Sequence, residues 1–323
     1  MSDRWGDFWL EQLIAVGGLG EVWRATRNGT TGALKRMHTH LARNEEALAI
    51  FAQEQRLVMD LPRHANVVHG IDVGSVPLAS PASGAGAASG ASGTSGASAA
   101  SGASGTSGAS AASGNAWPFA FLELAPGADL RRIVAPPATR DRPTTGAVAI
   151  SRDRALWIVA SACDAVAHLH ASGWVHGDVN PSNLIVSPAV PGSDPPATTL
   201  KGVTAPHSVK LVDLGIARPI GEAGPTRGTH AYMAPEQVRA QAWTQATDVF
   251  ALGIVLWELV AGTRLFHRGP TWLSMAAVVE ADVPALPDKE IDAICRAALV
   301  KDPAARLSSA TELGDHLRAL ASN

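Results

Sequence analysis

The chain has 323 residues, and its 26 Lys and Arg residues against 29 Asp and Glu residues give a formal net charge of −3. This length indicates about two domains or one two-lobed unit, and the charge excludes the broad basic surface of a nucleic-acid-binding protein. With only two cysteines, the chain is neither a disulfide scaffold nor a zinc ribbon.

The first third of the sequence is rich in short apolar segments. Residues 44–61 follow a helical period that places Glu54 on the apolar face. Apolar runs bounded by turn residues predict strands at four places. These predicted strands are 13–16, 22–25, 33–37 and 119–124.

A low-complexity segment interrupts this part of the chain. Residues 77–116 consist almost entirely of Ala, Ser, Gly and Thr, and SGASGTSGASAA at 89–100 repeats without change at 101–112. Such a tract cannot bury enough apolar area to offset the entropy of ordering it. We therefore predict a flexible spacer.

The remaining two thirds are mainly helical. Helices are predicted at 152–170, 248–261, 272–281, 290–299 and 309–320, and short strands at 184–186 and 209–212. Two further breaks, at about 135–150 and 187–208, are rich in Pro, Gly and Thr and are predicted loops. Strands followed by helices favour an α+β protein with two lobes.

Two features of the first third suggest a phosphate site. Gly17, Gly18 and Gly20 stand between two predicted strands, where the lack of a Cβ lets backbone amides approach phosphate oxygens. An ordinary hairpin explains these glycines equally well. Lys35 ends the next apolar strand, where a buried ammonium needs a partner such as Glu54. Taken alone, each of these residues is more often a solvated surface charge.

The decisive motifs are HGDVNPSN at 176–183 and VKLVDLG at 209–215. With them the sequence resembles the protein kinases, in particular bacterial serine/threonine kinases of the eukaryotic-like type. GTHAYMAPE at 228–236 is similar to the end of an activation segment, and DVFALG at 248–253 to the start of the large buried helix. KDPAAR at 301–306 is similar to the late turn whose arginine pairs with the glutamate of the activation segment, here Glu236.

The resemblance extends over 13–320 apart from the loops, and it implies a bilobal α+β fold. A small antiparallel β-rich N-lobe with one main helix is expected at 11–124, carrying the insert at 77–116, after an N-terminal tail at 1–10. A larger, mainly α-helical C-lobe is expected at 125–321, with the two loop inserts within it.

The resemblance also implies catalytic roles. Lys35 would grip the α- and β-phosphates of ATP and would be held by Glu54. Asp178 would orient the substrate hydroxyl or accept its proton. Asn183 and Asp213 would bind Mg²⁺, or Mn²⁺ in its place, through oxygen ligands.

The nucleotide is expected between the lobes. Leu122 would stand behind the adenine, the backbones of Glu123 and Ala125 would meet its edge, and Asp129 would meet the ribose. Leu13 would help to cover the base. The predicted nucleotide-binding residues are Ile14, Ala15, Gly17, Gly18, Gly20, Val22, Ala33, Lys35, Leu122, Glu123, Ala125, Asp129 and Leu184.

Four positions depart from the family pattern. Ala15 replaces the first glycine of the loop and Leu214 the usual phenylalanine, and both changes are tolerable. Gly177 stands where many kinases have arginine, so we expect activity without phosphorylation at Thr226. Asn180 replaces a lysine that touches the transferred phosphate in the family. As a catalytic residue, Asn180 would bind this phosphate through a neutral hydrogen bond, which is weaker than the charge-assisted bond of a lysine, so we expect slow turnover.

Three functions fit these motifs. The main expectation is an ATP-dependent protein kinase, with Pro181 and Thr229 favouring serine and threonine hydroxyls of protein substrates. A pseudokinase that binds nucleotide is an alternative, supported by Gly177 and Asn180. A small-molecule phosphotransferase of the aminoglycoside or choline kinase type also uses His-Gly-Asp, but it lacks the Ala-Pro-Glu segment.

The sequence pattern predicts neither a signal peptide nor a membrane-spanning segment. The first ten residues lack the basic and apolar parts of a signal peptide, and the apolar run at 249–260 is too short to span a bilayer. We expect a cytoplasmic protein with no membrane or nucleic-acid partner.

Overall fold

The computed structural model of the chain describes residues 3–77, 116–134, 150–187, 208–224 and 226–322. The predicted repeat insert and the two predicted loop inserts lie almost wholly outside these residues.

The N-terminal lobe is built on a six-stranded antiparallel sheet with the strand order β1-β2-β3-β4-β6-β5. All four strands predicted in this lobe are present, and β5 is added beside the last of them. The strands are β1 (Asp3–Trp5), β2 (Phe8–Val16), β3 (Gly20–Arg27), β4 (Thr30–Met37), β5 (Gly70–Pro77) and β6 (Ala116–Leu122).

The residues expected to form an N-terminal tail belong to this sheet. β1 pairs with the start of β2, and Trp5, Phe8 and Leu10 are buried with Phe119 and Phe121 on one face of the sheet. Burial of large aromatic side chains is strongly favourable. The acidic composition of residues 1–10 concealed these apolar side chains, and the expectation of a tail is corrected for 3–10.

Helix α1 (Glu45–Asp60) lies beside β5 and β6 and is the one long helix among the described residues of this lobe. It begins at Asn44, whose side chain accepts a hydrogen bond from the amide of Ala47 at 2.8 Å. Phe51, Leu57 and Glu54 are buried on its inner face. The helical period of the sequence therefore predicted both the helix and the face that carries Glu54.

The hairpin of β5 and β6 shows where the repeat insert is attached. Pro77 pairs with Ala116 at one end of the hairpin, and Gly70 pairs with Leu122 at the other. The insert thus joins the end of the hairpin that lies away from Leu122.

The C-terminal lobe is mainly helical, and its predicted helices are all present. Its helices are α2 (Leu130–Val134), α3 (Arg152–Ala171), α4 (Pro235–Val238), α5 (Gln245–Ala261), α6 (Thr271–Glu280), α7 (Lys289–Ala298) and α8 (Ala310–Ala321). Its short strands are β7 (Ala128–Asp129), β8 (Trp174–Val175), β9 (Leu184–Ser187), β10 (Ser208–Leu211) and β11 (Arg218–Pro219).

Helix α5 is buried along nearly its whole length, packing against α3, α7 and α8. Its apolar residues surround the helix because every side faces protein. No helix of the described residues is long and apolar enough to cross a membrane.

The two lobes meet at β10. The amide of Val68 donates to the carbonyl of Leu211 at 3.0 Å, and the amide of Leu211 donates to the carbonyl of Asn66 at 2.7 Å. This α+β fold of two lobes is the one expected, and it leaves a cleft between the sheet and the helical lobe.

Candidate active site

Asp178 lies in the loop between β8 and β9, at the base of the cleft. Its Oδ1 accepts a hydrogen bond from the amide of Thr229 at 2.8 Å, and its Oδ2 accepts one from Nδ2 of Asn183 at 3.1 Å. Burial raises the pKa of Asp178 above its ordinary value, opposed by the hydrogen bond from Thr229. The expected proximity of Thr229 to Asp178 is thus observed.

Asn180 shapes this loop but does not face the cleft. It is 1% exposed, its Nδ2 donates to the carbonyl of Asp178, and its Oδ1 accepts from the amide of Ser182, both at 2.9 Å. This side chain caps the 3-10 turn Pro181–Asn183. Both polar ends of Asn180 are therefore used within the loop, unlike the phosphate contact expected from its position in the motif.

Asp248 anchors the loop to α5. Its carboxylate accepts hydrogen bonds from the amides of His176 and Gly177, both at 2.8 Å, and lies 2.9 Å from Nε2 of His170. Burial opposes ionisation of Asp248, but the hydrogen bonds from His170 and from the loop hold its pKa below the ordinary value. Asp248, where the motif predicted the helix to start, thus supports the loop 176–183, which carries Asp178 and is called the catalytic loop below.

Lys35 joins the two lobes through ionic contacts. Its Nζ lies 2.6 and 2.8 Å from the two oxygens of Glu54 and 2.7 Å from Oδ1 of Asp213. Burial raises the pKa of Glu54 to about 7, and the ammonium of Lys35 lowers that of Asp213 to about 2. Burial would lower the pKa of Lys35, but Asp213 and Glu54 raise it above the ordinary value.

Asp213 is held in a conformation that few non-glycine residues adopt, with φ at 64°. The preceding amide, of Val212, donates to the carbonyl of Asn183 at 3.0 Å, which brings Asp213 and Asn183 together. Within the described ranges, Oδ2 of Asp213 and Oδ1 of Asn183 have no hydrogen-bond partner.

These two oxygens fit Mg²⁺. The ion prefers oxygen ligands and usually takes one or two carboxylates together with phosphates and water. A carboxylate oxygen of Asp213 and an amide oxygen of Asn183, neither with another partner in the described ranges, provide such a donor set.

The glycine-rich turn closes on itself at the edge of the cleft. The amide of Gly17 donates to the carbonyl of Gly20 at 2.8 Å, and a Cβ at Gly20 would lie 2.0 Å from the carbonyl oxygen of Arg36. The ring of His38 lies 2.8 Å from the carbonyl oxygen of Gly17. This contact of His38 was not predicted, because nothing in its local sequence marks it.

Four of the residues predicted to surround the adenine belong to one apolar cluster or pack against it. Ala33, Leu122 and Leu184 are buried in the main apolar cluster, with Val22 packed against it. Ile14 is half-buried. Leu13 is 43% exposed and pairs across the sheet with Trp23, while Ala15 pairs with Val22. Since paired residues share a face, Ala15 rather than Leu13 lies on the face of the pocket.

The hinge after β6 is held by its side chains. The Glu123 carboxylate contacts the Lys210 ammonium and lies 3.0 Å from Nδ1 of His69. The amide of Glu123 donates to the carbonyl of His69, so its own carbonyl and the backbone of Ala125 are the groups left for a ligand.

Asp129 is already engaged at the start of α2. Its carboxylate accepts from the amide of Arg132 at 2.9 Å and contacts the guanidinium of Arg132 at 3.0 Å. Contact with a ribose would compete with these bonds.

The predicted pair of Glu236 and Arg306 is present in the C-terminal lobe. Two guanidinium nitrogens of Arg306 donate to the two carboxylate oxygens of Glu236 at 2.8 and 3.1 Å.

His168 and His170 contact different groups, the carbonyl of Pro62 and Asp248, as their spacing on α3 predicts.

Comparisons with known proteins agree with this geometry. The family model of the protein kinase domain matches residues 112–317, more than half of the chain. The chain is 26% identical over 325 residues to the serine/threonine-protein kinase PknA of Mycobacterium tuberculosis, covering 98% of this chain and 61% of PknA.

Two further relatives carry related names. The probable serine/threonine-protein kinase PknB of Bifidobacterium longum is 28% identical, over 95% of this chain and 38% of its own length. PknB of Mycobacterium tuberculosis is 30% identical over 209 residues, 61% of this chain and 29% of PknB. The chain thus spans less than two thirds of the length of these relatives. It belongs to the protein kinase family, and its relatives are serine/threonine kinases of bacteria.

Proposed function

We propose that the chain transfers the γ-phosphate of Mg·ATP to serine and threonine hydroxyls of protein substrates. The observation that carries this proposal is one connected set of contacts across the cleft. Asp178 contacts Asn183, Asn183 is joined through the backbone to the segment of Asp213, and Asp213 contacts Lys35. Phosphoryl transfer needs mainly such positioning of charge.

Asp178 would receive the substrate hydroxyl. Its Oδ1 is held by the amide of Thr229 and its Oδ2 by Asn183, so the carboxylate has a defined orientation. The raised pKa of Asp178 favours acceptance of a proton as the hydroxyl attacks.

Asn183 and Asp213 would hold Mg²⁺ through Oδ1 of Asn183 and Oδ2 of Asp213, the two oxygens that have no hydrogen-bond partner in the described ranges. The bound ion would neutralise charge on the phosphates during transfer. Lys35 would contact the α- and β-phosphates, and Glu54 keeps its ammonium within the cleft.

Threonine 229 supports serine and threonine specificity. The amide of Thr229 donates to Asp178 at 2.8 Å, so the segment 228–236 lies against the proposed base.

A pseudokinase is the second candidate, and one observation favours it. Asn180 replaces the lysine of the family pattern and is buried, so the described part of the catalytic loop presents no cation to the transferred phosphate. Lys35, Asp178, Asn183 and Asp213 are all in place, and they favour transfer.

The test is transfer of labelled γ-phosphate from Mg·ATP to a generic basic protein. Asp178→Asn and Lys35→Met should both abolish labelling, while Lys289→Met should not, because Lys289 is exposed at the start of α7. Label on serine or threonine that is lost in the two site variants would support the proposal. Nucleotide binding without any label on protein would favour the pseudokinase, and label on an aminoglycoside or choline would favour the small-molecule phosphotransferase.

A further inference from the structure

The ring of Trp243 fills the space beside Gly177. Trp243 has no exposed surface. A Cβ built on Gly177 would lie 2.2 Å from its ring, and one built on Gly224 would lie 2.4 Å from it. Trp243 therefore requires glycine at two positions, one in the catalytic loop and one in the activation segment (213–236).

Gly177 is constrained by its backbone as well. Its φ is +76°, its amide donates to Asp248, and its carbonyl accepts from Nε2 of Gln237 at 2.8 Å. These bonds hold the residue before Asp178 in a left-handed conformation that glycine adopts without strain. Displacement of this residue would move Asp178.

Arg218 lies over the ring of Trp243. Its guanidinium carbon lies 4.7 Å from the centre of the Trp243 ring, and Nη1 donates to the carbonyl of Ala223 at 2.8 Å. A guanidinium at this distance from an indole is attracted by the ring electrons. Burial lowers the pKa of Arg218 from its ordinary value.

The backbone of Trp243 binds the same segment. The amide of Gly221 donates to the carbonyl of Trp243 at 2.8 Å, and the amide of Trp243 donates to the carbonyl of Glu222 at 3.0 Å. Trp243 thus contacts residues of the activation segment through both its ring and its backbone.

We propose that Arg218 and Trp243 are positioning residues that fasten the activation segment to the catalytic loop and thereby orient Asp178. This inference rests on the proposed function. The segment carries Thr229, whose amide donates to Asp178. Loss of the contact between Arg218 and the Trp243 ring, called the stack here, would therefore weaken this hydrogen bond. The stack would hold the unphosphorylated segment in its working position.

The first test replaces Arg218 in the phosphatase-treated protein. Arg218→Gln should lower kcat by roughly 5- to 30-fold, the range that corresponds to loss of a partly buried cation–π contact. KM for ATP should change less than about twofold, because Lys35, Glu54 and Asp213 do not contact Arg218. Arg218→Lys should restore much of kcat, since an ammonium can still lie over the ring.

Arg27→Gln is the matched control. Arg27 is stacked on Phe8 at 4.7 Å on the outer face of the N-lobe sheet, and its loss should leave kcat and KM unchanged. A role of Arg218 in general stability would lower the melting temperature and leave kcat at saturating ATP unchanged, and this result would overturn the proposal.

Hydrogen exchange tests the fastening without requiring transfer. Arg218→Gln should accelerate exchange at the amides of Gly221 and Thr229 and leave that of α5 unchanged. Unchanged exchange at 221–229 would overturn the proposal even in an active enzyme. If the wild-type protein transfers no phosphate but Arg218→Gln still accelerates exchange at these amides, the fastening is supported and the proposed function is refuted.

The steric contact gives a further variant pair. Gly177→Ala should accelerate exchange at the same amides because its Cβ displaces the Trp243 ring. In a Trp243→Leu background the same change should have a smaller added effect, because only the strain of the left-handed backbone at residue 177 then remains. Equal effects in both backgrounds would contradict a role for the ring.

Discussion

Two buried ion pairs with similar geometry lie in the two lobes. In the N-lobe, Lys35 contacts Glu54 at 2.6 Å, and in the C-lobe, Arg306 contacts Glu236 at 2.8 Å. The pairs differ in their surroundings. Lys35 has a second acidic partner, Asp213, whose side chain is 49% exposed toward the cleft.

The C-lobe pair is closed to solvent and to ligands. Arg306 also donates to the carbonyls of Val300, Ala246 and Lys301, and Glu236 accepts from the hydroxyl of Thr247. Its groups are satisfied by protein alone, so it stabilises the fold, whereas the N-lobe set leaves Oδ2 of Asp213 open for chemistry. Burial and a short distance are common to both pairs and do not distinguish a structural pair from a catalytic one. The exposed third partner, Asp213, does distinguish them.

The largest expected effect is on stability in the C-lobe. Arg306→Ala would leave Glu236 buried without its cation and should lower the free energy of unfolding by about 3–5 kcal/mol. Urea denaturation measures this. Arg296→Ala, which removes an exposed pair with Asp292, should cost about 0.5 kcal/mol or less. Similar losses in both variants would contradict the distinction between closed and exposed pairs.

The next effect is on activity in the N-lobe. Lys35→Met should lower phosphate transfer by about 10²–10³-fold, the cost of losing one positioned charged donor. Its free energy of unfolding should fall less than that of Arg306→Ala, since Glu54, with a pKa of about 7, can take up a proton. If Lys35→Met unfolds the chain as readily as Arg306→Ala, the N-lobe pair is also structural.

The third effect depends on pH. Burial raises the pKa of Glu54 from 4.5 to about 7, so the folded state binds this proton more tightly than the unfolded state. Its contribution to stability is therefore complete below pH 4.5 and is lost as the pH rises toward 7, by at most about 1.4 kcal/mol per pH unit.

Glu54→Gln removes the titratable carboxyl at this position. The free energy of unfolding of the wild type, relative to this variant, should therefore fall between pH 4.5 and 7 in urea titrations. A difference that stays constant or rises over this range would show that Glu54 is ionised throughout.

The smallest effect is at the start of α1. Asn44→Ala removes the cap of the helix that carries Glu54 and should lower the free energy of unfolding by about 1 kcal/mol. Asn44→Asp, which can still accept from Ala47, should lose little. Transfer activity should change less than about twofold in both. A large loss of activity would mean that the position of α1, in addition to the ion pair itself, limits catalysis.

Much of the fold was predictable because it depends on local patterns. Apolar residues with a helical period predicted α1, α3, α5, α6, α7 and α8 to within a few residues. Strand β1 escaped prediction because it is only three residues long, and its stability comes from Trp5 packing on distant aromatic residues.

The candidate site divides in the same way. Motif order placed Lys35, Asp178, Asn183 and Asp213 in one cleft, as the contacts show. The direction of the Asn180 side chain depends on the turn at Pro181–Asn183, and motif position did not reveal it.

The sequence by itself determined the charged groups, their order and the lobes that carry them, because these follow from residue identity and periodicity. Only the tertiary structure decided which charges are open to the cleft, how Asn180 is used, and that Trp243 and Arg218 meet Gly177. These features depend on contacts between residues far apart in the chain, and a short-range pattern carries no information about such contacts.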